Sequence, residues 1–159
     1  MNDREYMARV QAMERRLYRI AQAILFNDAD SADAIQAAVF KGWLKKAALR
    51  DSRYMETWLV RILINECRDL LRKRSIKALP LLEEILPCAD ERMAEDLHLR
   101  QILFSMPEKY RLPLLLHHME GYELSEIAKM LSIAPGLVKS RLYQARKILR
   151  RKMEEGEHS

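Results

Sequence analysis

The sequence is poor in residues that interrupt helices and in residues that build strands. It contains only 4 glycines and 5 prolines among 159 residues, and it has no strand-like runs of valine, isoleucine and threonine. The plentiful residues are leucine, alanine, arginine, lysine, glutamate and methionine, which favour helices. The composition therefore predicts an all-α protein.

Several kinds of chemical site are also missing. The 2 cysteines, Cys67 and Cys88, are not spaced as zinc ligands. His117 and His118 are adjacent, so on a helix they would point about 100° apart rather than towards one metal ion. The sequence has no glycine-rich phosphate loop and no recognisable pair of nucleophile and base. We therefore expect no metal site, no cofactor, no small-molecule substrate and no enzymatic activity.

Long apolar runs are absent as well. No stretch approaches the ~20 apolar residues that a membrane-spanning helix needs, and the first ten residues lack the apolar core of a signal peptide. We expect a cytoplasmic protein without membrane insertion. The chain instead carries a net charge of +5, which favours polyanionic partners.

The clearest motif lies in residues 121–152, where the pattern predicts two helices joined by a tight turn. The first helix covers Leu124–Leu131, and the turn covers Ser132–Pro135. The second helix has an apolar inner face at spacings of 4, 3 and 4, formed by Val138, Leu142, Ala145 and Leu149. Its other faces carry cations and amides, which is typical of a recognition helix in the DNA major groove. A solvated basic helix that closes a helical bundle is the alternative.

The N-terminal part shows strong apolar periodicity that predicts three helices. They cover Arg4–Leu25, Asp30–Lys46 and Thr57–Lys73, and a polar connection spans Leu49–Glu56. In the third helix the predicted buried stripe is Trp58, Leu59, Ile62 and Leu63, and the predicted outer stripe is Arg61, Asn65, Arg68 and Arg72, with Asp69 beside it. Asparagine can pair with adenine and arginine can bind phosphates, which indicates a second nucleic-acid surface. The alternative is a helix end whose cations only complement the helix dipole.

Three aromatic residues cluster around the polar connection. Trp43 and Trp58 are more typical of a core than of a binding surface. Tyr54 lies within the connection itself and is the better candidate for exposure. An exposed aromatic ring beside basic residues can stack on an unpaired base.

Changes in composition divide the chain into two domains. Residues 1–77 form the first, residues 78–90 form a linker with two prolines and several acids, and residues 91–159 form the second. In the second domain Pro107 is expected to start a helix, and Pro113 is expected to bend that helix or shift its start. The predicted architecture is thus two small helical domains joined by a linker, the second containing the helix-turn-helix.

The order and spacing of these motifs resemble a bacterial sigma factor of the extracytoplasmic-function (ECF) type, a small two-domain member of the sigma-70 family. The resemblance covers about residues 14–152. It rests on three stretches: Asp33-Ala34-Ile35-Gln36 with Phe40 and Trp43; Trp58-Leu59 with Asn65, Asp69 and Arg72-Lys73-Arg74; and Gly121-Tyr122, Glu126-Ile127-Ala128, Val138-Lys139-Ser140-Arg141-Leu142 and Ala145-Arg146. Ala37 departs from the family, in which many members carry an acidic residue at this position.

The resemblance implies a protein that binds core RNA polymerase and directs it to promoters. The implied polymerase contacts are Asp33, Gln36, Phe40 and Trp43. The implied contacts to the promoter −10 element are Tyr54, Arg61, Asn65, Arg68, Asp69, Arg72 and Lys73. The implied contacts to the −35 element are Leu137, Lys139, Ser140, Arg141, Tyr143, Gln144 and Lys147. An anti-sigma partner is also implied.

Two other functions fit the residues less well. One is a stand-alone helix-turn-helix regulator whose N-terminal domain dimerises or senses a ligand. The outward stripe at Arg61, Asn65, Arg68 and Arg72 argues against it, because a dimer core would not contain these side chains. The other is a helical adaptor for an acidic protein partner, which would not bind DNA.

Overall fold

A computed structural model describes residues 1–74 and 97–157 of the chain. All secondary structure within these residues is helical, which confirms the predicted fold class. The chain divides into two compact units, and their main described parts are residues 1–74 for the first and residues 97–128 with 132–157 for the second. The predicted linker at 78–90, with Cys88 and both predicted domain boundaries, lies outside the described residues.

Within residues 1–74, the N-terminal unit contains four α-helices. They are α1 (Asp3–Ala12), α2 (Glu14–Leu25), α3 (Asp28–Lys45) and α4 (Met55–Arg74), with short 3₁₀ turns at Lys46–Ala48 and Ser52–Tyr54 between α3 and α4. The last three helices pack against one another. Their core includes Leu17, Ile20, Ala34, Ala38, Leu59 and Leu63, each at most 2% exposed. Alanines on α3 allow its neighbours to approach closely.

The prediction of one helix over Arg4–Leu25 is wrong, because the chain bends at Met13. This residue has φ −97° and ψ 0°, and its N–H bonds to the carbonyl of Val10 at 3.0 Å. No proline or glycine marks the bend. Its reason is tertiary: Met13 is 4% exposed, and the bend lets Tyr6 of α1 pack on Gly42 of α3.

The predicted inner face of α4 is partly wrong. Leu59 and Leu63 are buried as expected, but Trp58 and Ile62 are only half-buried. Val60, Ile64 and Cys67 are buried instead, each 0% exposed. Helix α4 packs against both α2 and α3. Its buried surface is therefore wide, and these two neighbours determine which side chains of α4 it includes. Cys67 is a small buried side chain, as predicted.

Residues 97–157 form four α-helices and one π-helical turn. They are α5 (Leu97–Ser105), α6 (Glu108–Leu114), the turn at Leu115–Met119, α7 (Leu124–Leu131) and α8 (Pro135–Glu157). Pro107 caps α6, and Pro113 lies inside it. A proline removes one helical hydrogen bond and crowds the preceding turn, and here the helix continues past Pro113 as a wider π-helical turn.

Helix α8 packs on α6 and α5. It is 23 residues long and therefore extends about 34 Å. None of the described helices is both long and apolar enough to cross a membrane.

Candidate nucleic-acid and polymerase interfaces

The turn between α7 and α8 is fixed by backbone hydrogen bonds. Ser132 adopts a left-handed conformation with φ 56°, and the N–H of Ile133 donates to the carbonyl of Ala128 at 3.0 Å. This pairing closes the end of α7. The carbonyl of Ala134 then accepts from Leu137 and Val138 at 3.0 and 3.2 Å, so α8 begins at Pro135. These hydrogen bonds define a helix-turn-helix in which α7 ends before Ser132 and α8 begins at Pro135.

Helix α8 has a buried face and an exposed face. Val138, Leu142 and Ala145 are 0%, 2% and 0% exposed, whereas Leu149 is only half-buried. All but one of the predicted −35 residues lie in the exposed class, namely Leu137, Lys139, Ser140, Tyr143, Gln144 and Lys147. Arg141 is half-buried. Two of the exposed residues are large and apolar or aromatic, with Leu137 41% and Tyr143 63% exposed.

Two cations of α8 bind within the C-terminal unit. The Nε atom of Arg146 donates to Nε2 of His118 at 3.2 Å, and Nζ of Lys152 donates to Oγ of Ser105 at 2.7 Å. Burial, and then the charge of Arg146, lowers the pKa of the His118 imidazole, which favours the neutral form that can accept this hydrogen bond. The charge pattern of α8 alone did not separate these two residues from the other cations.

The outer face of α4 carries the predicted −10 residues. Arg61, Asn65, Arg72 and Lys73 are exposed, and Arg68 and Asp69 are half-buried. Asp69 and Arg72 form an ion pair one turn apart. The charged and amide groups therefore lie on one continuous helix surface.

Arg74 differs from the two cations that precede it. Its Nη1 donates to the carbonyl of Leu25 at 3.1 Å, and its Nε lies 3.0 Å from Oδ2 of Asp30. It thereby ties the end of α4 to the end of α2 and the start of α3. The predicted cationic run thus separates into an exposed Lys73 and an anchoring Arg74.

The connection between α3 and α4 holds Tyr54 at the surface. Tyr54 is 54% exposed, and the guanidinium of Arg53 lies 5.9 Å from its ring centroid. Asp51 accepts from the Arg53 side chain at 2.8 Å and from its backbone N–H at 3.0 Å, and these bonds lower the pKa of Asp51. The short 3₁₀ turn at Ser52–Tyr54 presents the ring next to the first turn of α4.

An exposed apolar patch lies on α3. Phe40 and Trp43 are 59% and 37% exposed, and their rings stack with centroids 6.4 Å apart. Trp43 therefore does not have the core position that is more typical of a tryptophan. Asp33 and Gln36 are exposed on the same helix. Spacings of 3, 4 and 3 residues place Asp33, Gln36, Phe40 and Trp43 on one face of α3. Such patches mark sites of protein interaction.

The sequence reasoning missed one member of this patch. Leu44 is 59% exposed and lies one turn after Phe40. Its spacing of four from Phe40 could have identified it. Nζ of Lys46 lies 4.5 Å from the indole centroid of Trp43 and 2.8 Å from Oδ1 of Asp3.

Known proteins resemble the chain in both units. The family model for Sigma-70 region 2 matches residues 9–76, and the model for Sigma-70, region 4 matches residues 97–149. The ECF RNA polymerase sigma factor SigM of Mycobacterium tuberculosis (strain ATCC 25618 / H37Rv) is 31% identical over 139 residues, covering 86% of this chain and 71% of that protein. The RNA polymerase sigma factor SigV of Bacillus subtilis (strain 168) is 28% identical over 137 residues, covering 84% of this chain and 81% of that protein.

Solved structures resemble the fold as well. The sigma factor RpoE from Bartonella quintana, crystallised with the anti-sigma factor NepR, aligns with a TM-score of 0.76 at 19% identity. That alignment covers 94% of this chain and 97% of the other. CnrH, solved in complex with the cytosolic domain of CnrY, aligns with a TM-score of 0.71 at 21% identity over 97% of this chain and 90% of that one.

Proposed function

Because the chain belongs to the ECF group of the sigma-70 family of RNA polymerase sigma factors, we propose that it binds core RNA polymerase and directs it to promoters through their −10 and −35 elements. In this proposal, residues 1–77 bind the polymerase and the −10 element, and residues 91–159 bind the −35 element. Residues 78–90 connect these domains. The protein catalyses no reaction of its own and acts in the cytoplasm, where the polymerase transcribes.

The C-terminal unit would place α8 in the major groove at the −35 element. Arg141 and Gln144 could bind base edges bidentately, guanine and adenine being the usual partners of these side chains. Leu137, exposed in the first turn of α8, suits a thymine methyl group. Lys139 and Lys147 would bind phosphates and set the register of the helix on the DNA.

The N-terminal unit would recognise the −10 element as it opens. Opening and flipping a base costs a few kcal/mol, which a binding site for that base must offset. Tyr54 offers an exposed ring for stacking just before α4 begins, and Arg61 and Asn65 are exposed on the first half of α4. Further along α4, Arg68, Asp69, Arg72 and Lys73 would follow the strand and its phosphates.

The patch on α3 would bind the core polymerase. Phe40, Trp43 and Leu44 supply exposed apolar area, and Asp33 and Gln36 supply polar groups on the same face. Aromatic residues surrounded by polar ones are typical of the energetically important centre of an interface. We also propose an anti-sigma partner, since RpoE from Bartonella quintana was crystallised with the anti-sigma factor NepR, and CnrH was solved in complex with a second protein, the cytosolic domain of CnrY.

The observation that carries this proposal is the division of α8 into a buried apolar face and an exposed face of cations, amides and aromatic residues, in a chain that matches both family regions. The test is run-off transcription with purified core polymerase and a library of promoter sequences. We expect the chain to direct initiation from a specific subset of the library. Arg141→Ala should relax the preference at one −35 base pair by about 1–3 kcal/mol.

The control in this experiment is Arg15→Ala, which removes an exposed positive charge from α2. It should leave promoter choice unchanged. Core enzymes that initiate no better with the chain than without it would contradict the proposal. DNA binding to palindromic sites in the absence of polymerase would favour a stand-alone regulator instead.

A further inference from the structure

Helix α1 is tied to the end of α3 and to the connection that follows it. Three polar contacts make this attachment, from Asp3 to Lys46 at 2.8 Å, from the Tyr6 hydroxyl to the Val39 carbonyl at 2.7 Å, and from Arg9 to the Ser52 carbonyl at 2.7 Å. They are spaced by three residues, so they lie along one side of α1. Residues 3–8 precede the stretch that the region 2 family model matches.

A close approach at Gly42 determines where α1 lies. Tyr6 is 0% exposed, and a Cβ atom added to Gly42 would overlap its hydroxyl. Only glycine leaves room for the ring at this point of α3. The position of Arg9, one turn further along α1, is therefore fixed relative to the connection.

Arg9 contacts Ser52, the first residue of the second 3₁₀ turn in the connection between α3 and α4. Nη1 of Arg9 donates to the Ser52 carbonyl, which also accepts the N–H of Met55 at the start of α4. A hydrogen bond from a guanidinium is stronger than one between neutral groups. Tyr54 lies two residues after Ser52 and presents its exposed ring from this turn.

We propose that Arg9 is a positioning residue that holds the Ser52–Tyr54 turn in the conformation in which Tyr54 can stack on an unpaired promoter base. This inference rests on the proposed role of Tyr54 at the −10 element. When a turn adopts its binding conformation for only a fraction of the time, the apparent dissociation constant equals the intrinsic one divided by that fraction. Arg9 thus acts on DNA binding through Tyr54, without a contact of its own to the base.

The test measures how holoenzyme binds a labelled single-stranded oligonucleotide that carries the −10 element of a promoter selected by run-off transcription. Fluorescence anisotropy gives the dissociation constant for the unaltered chain, Arg9→Ala, Tyr54→Ala and the double variant. We expect Arg9→Ala to weaken binding roughly fivefold. The double variant should bind no more weakly than Tyr54→Ala, because residues that act through one contact are not additive.

The matched control is Arg4→Ala, which removes an exposed charge from the same helix and should leave the dissociation constant unchanged. Arg9→Ala should remain folded at the assay temperature, and its affinity for core polymerase should be the same as that of the unaltered chain. Additive losses in the double variant, an equal loss in Arg4→Ala, or normal binding by Arg9→Ala would each overturn the role of Arg9. Normal binding by Tyr54→Ala would overturn the proposed −10 contact together with this inference.

Discussion

The two faces of α8 predict opposite consequences for substitutions two residues apart. Leu142 is 2% exposed, so Leu142→Ala removes buried methyl and methylene groups. Loss of about three such groups at ~0.8 kcal/mol each, with the cavity that remains, gives about 3 kcal/mol of lost stability. Gln144 is exposed, and Gln144→Ala should change the stability by no more than about 0.5 kcal/mol.

The expected change in melting temperature is large. For a unit of this size, each kcal/mol shifts the midpoint by about 4–8 °C, so Leu142→Ala should lower it by roughly 12–24 °C. Both tryptophans, Trp43 and Trp58, lie in the N-terminal unit. Tryptophan fluorescence therefore monitors that unit alone, whereas far-ultraviolet circular dichroism monitors the helices of both.

Leu142→Ala should thus shift part of the dichroism transition and leave the fluorescence transition in place. Gln144→Ala should shift neither, yet it should weaken promoter selection at the −35 element. An equal loss of stability in the two variants would show that the inner and outer faces of α8 are wrongly assigned. A fluorescence transition that moves together with the dichroism in Leu142→Ala would refute independent unfolding of the two units.

Four further changes have defined outcomes. Lys147→Ala should weaken holoenzyme binding to all promoters alike and reduce the log–log salt slope by about 1, measured by anisotropy across a salt series; an unchanged slope would exclude a phosphate contact. Trp43→Ala should lower affinity for core polymerase at least about tenfold in a fluorescence titration made at a temperature at which the variant is folded, and normal affinity would remove the α3 patch from that interface. Ser132→Gly should raise stability by roughly 0.5–1 kcal/mol, because residue 132 has φ 56° and glycine adopts such angles readily, and calorimetry would detect a loss if the serine side chain were needed. Burial raises the pKa of Tyr6 to about 12, so the stability that comes from keeping this hydroxyl neutral is fully present below pH ~10 and is lost as the pH rises towards 12. Tyr6→Phe should abolish this fall in the free energy of unfolding, measured by unfolding curves at alkaline pH.

Local patterns in the sequence are sufficient to predict the helix bounds and the buried residues where a helix has a single narrow buried face. The predicted bounds of α7, Leu124–Leu131, are those of the structure. Val138, Leu142 and Ala145 are buried as their spacing indicated. A turn with proline at its end and a strongly amphipathic helix on each side leaves few other solutions.

Local patterns in the sequence fail where packing between helices decides where a helix ends or which of its residues are buried. The bend at Met13 has no breaker in the sequence and depends on the fit between Tyr6 and Gly42. In α4, six of the seven residues at 58–64 are apolar or aromatic, so periodicity could not select Val60 and Ile64 over Trp58 and Ile62. The anchoring role of Arg74 likewise required the positions of α2 and α3.

The charge of α8 limits how well the C-terminal unit can select a site by itself. Residues 135–152 contain seven cations, and two of them, Arg146 and Lys152, bind within their own unit. With roughly four to six phosphate contacts, non-specific binding has dissociation constants of about 10⁻⁴–10⁻⁶ M at physiological salt. Tethering changes this, because a second contact made within one complex has an effective concentration in the mM range for a short linker. We therefore expect α8 to choose among −35 sequences mainly when the polymerase holds the N-terminal unit near the −10 element, and the selectivity of free chain and holoenzyme for the same DNA should differ accordingly.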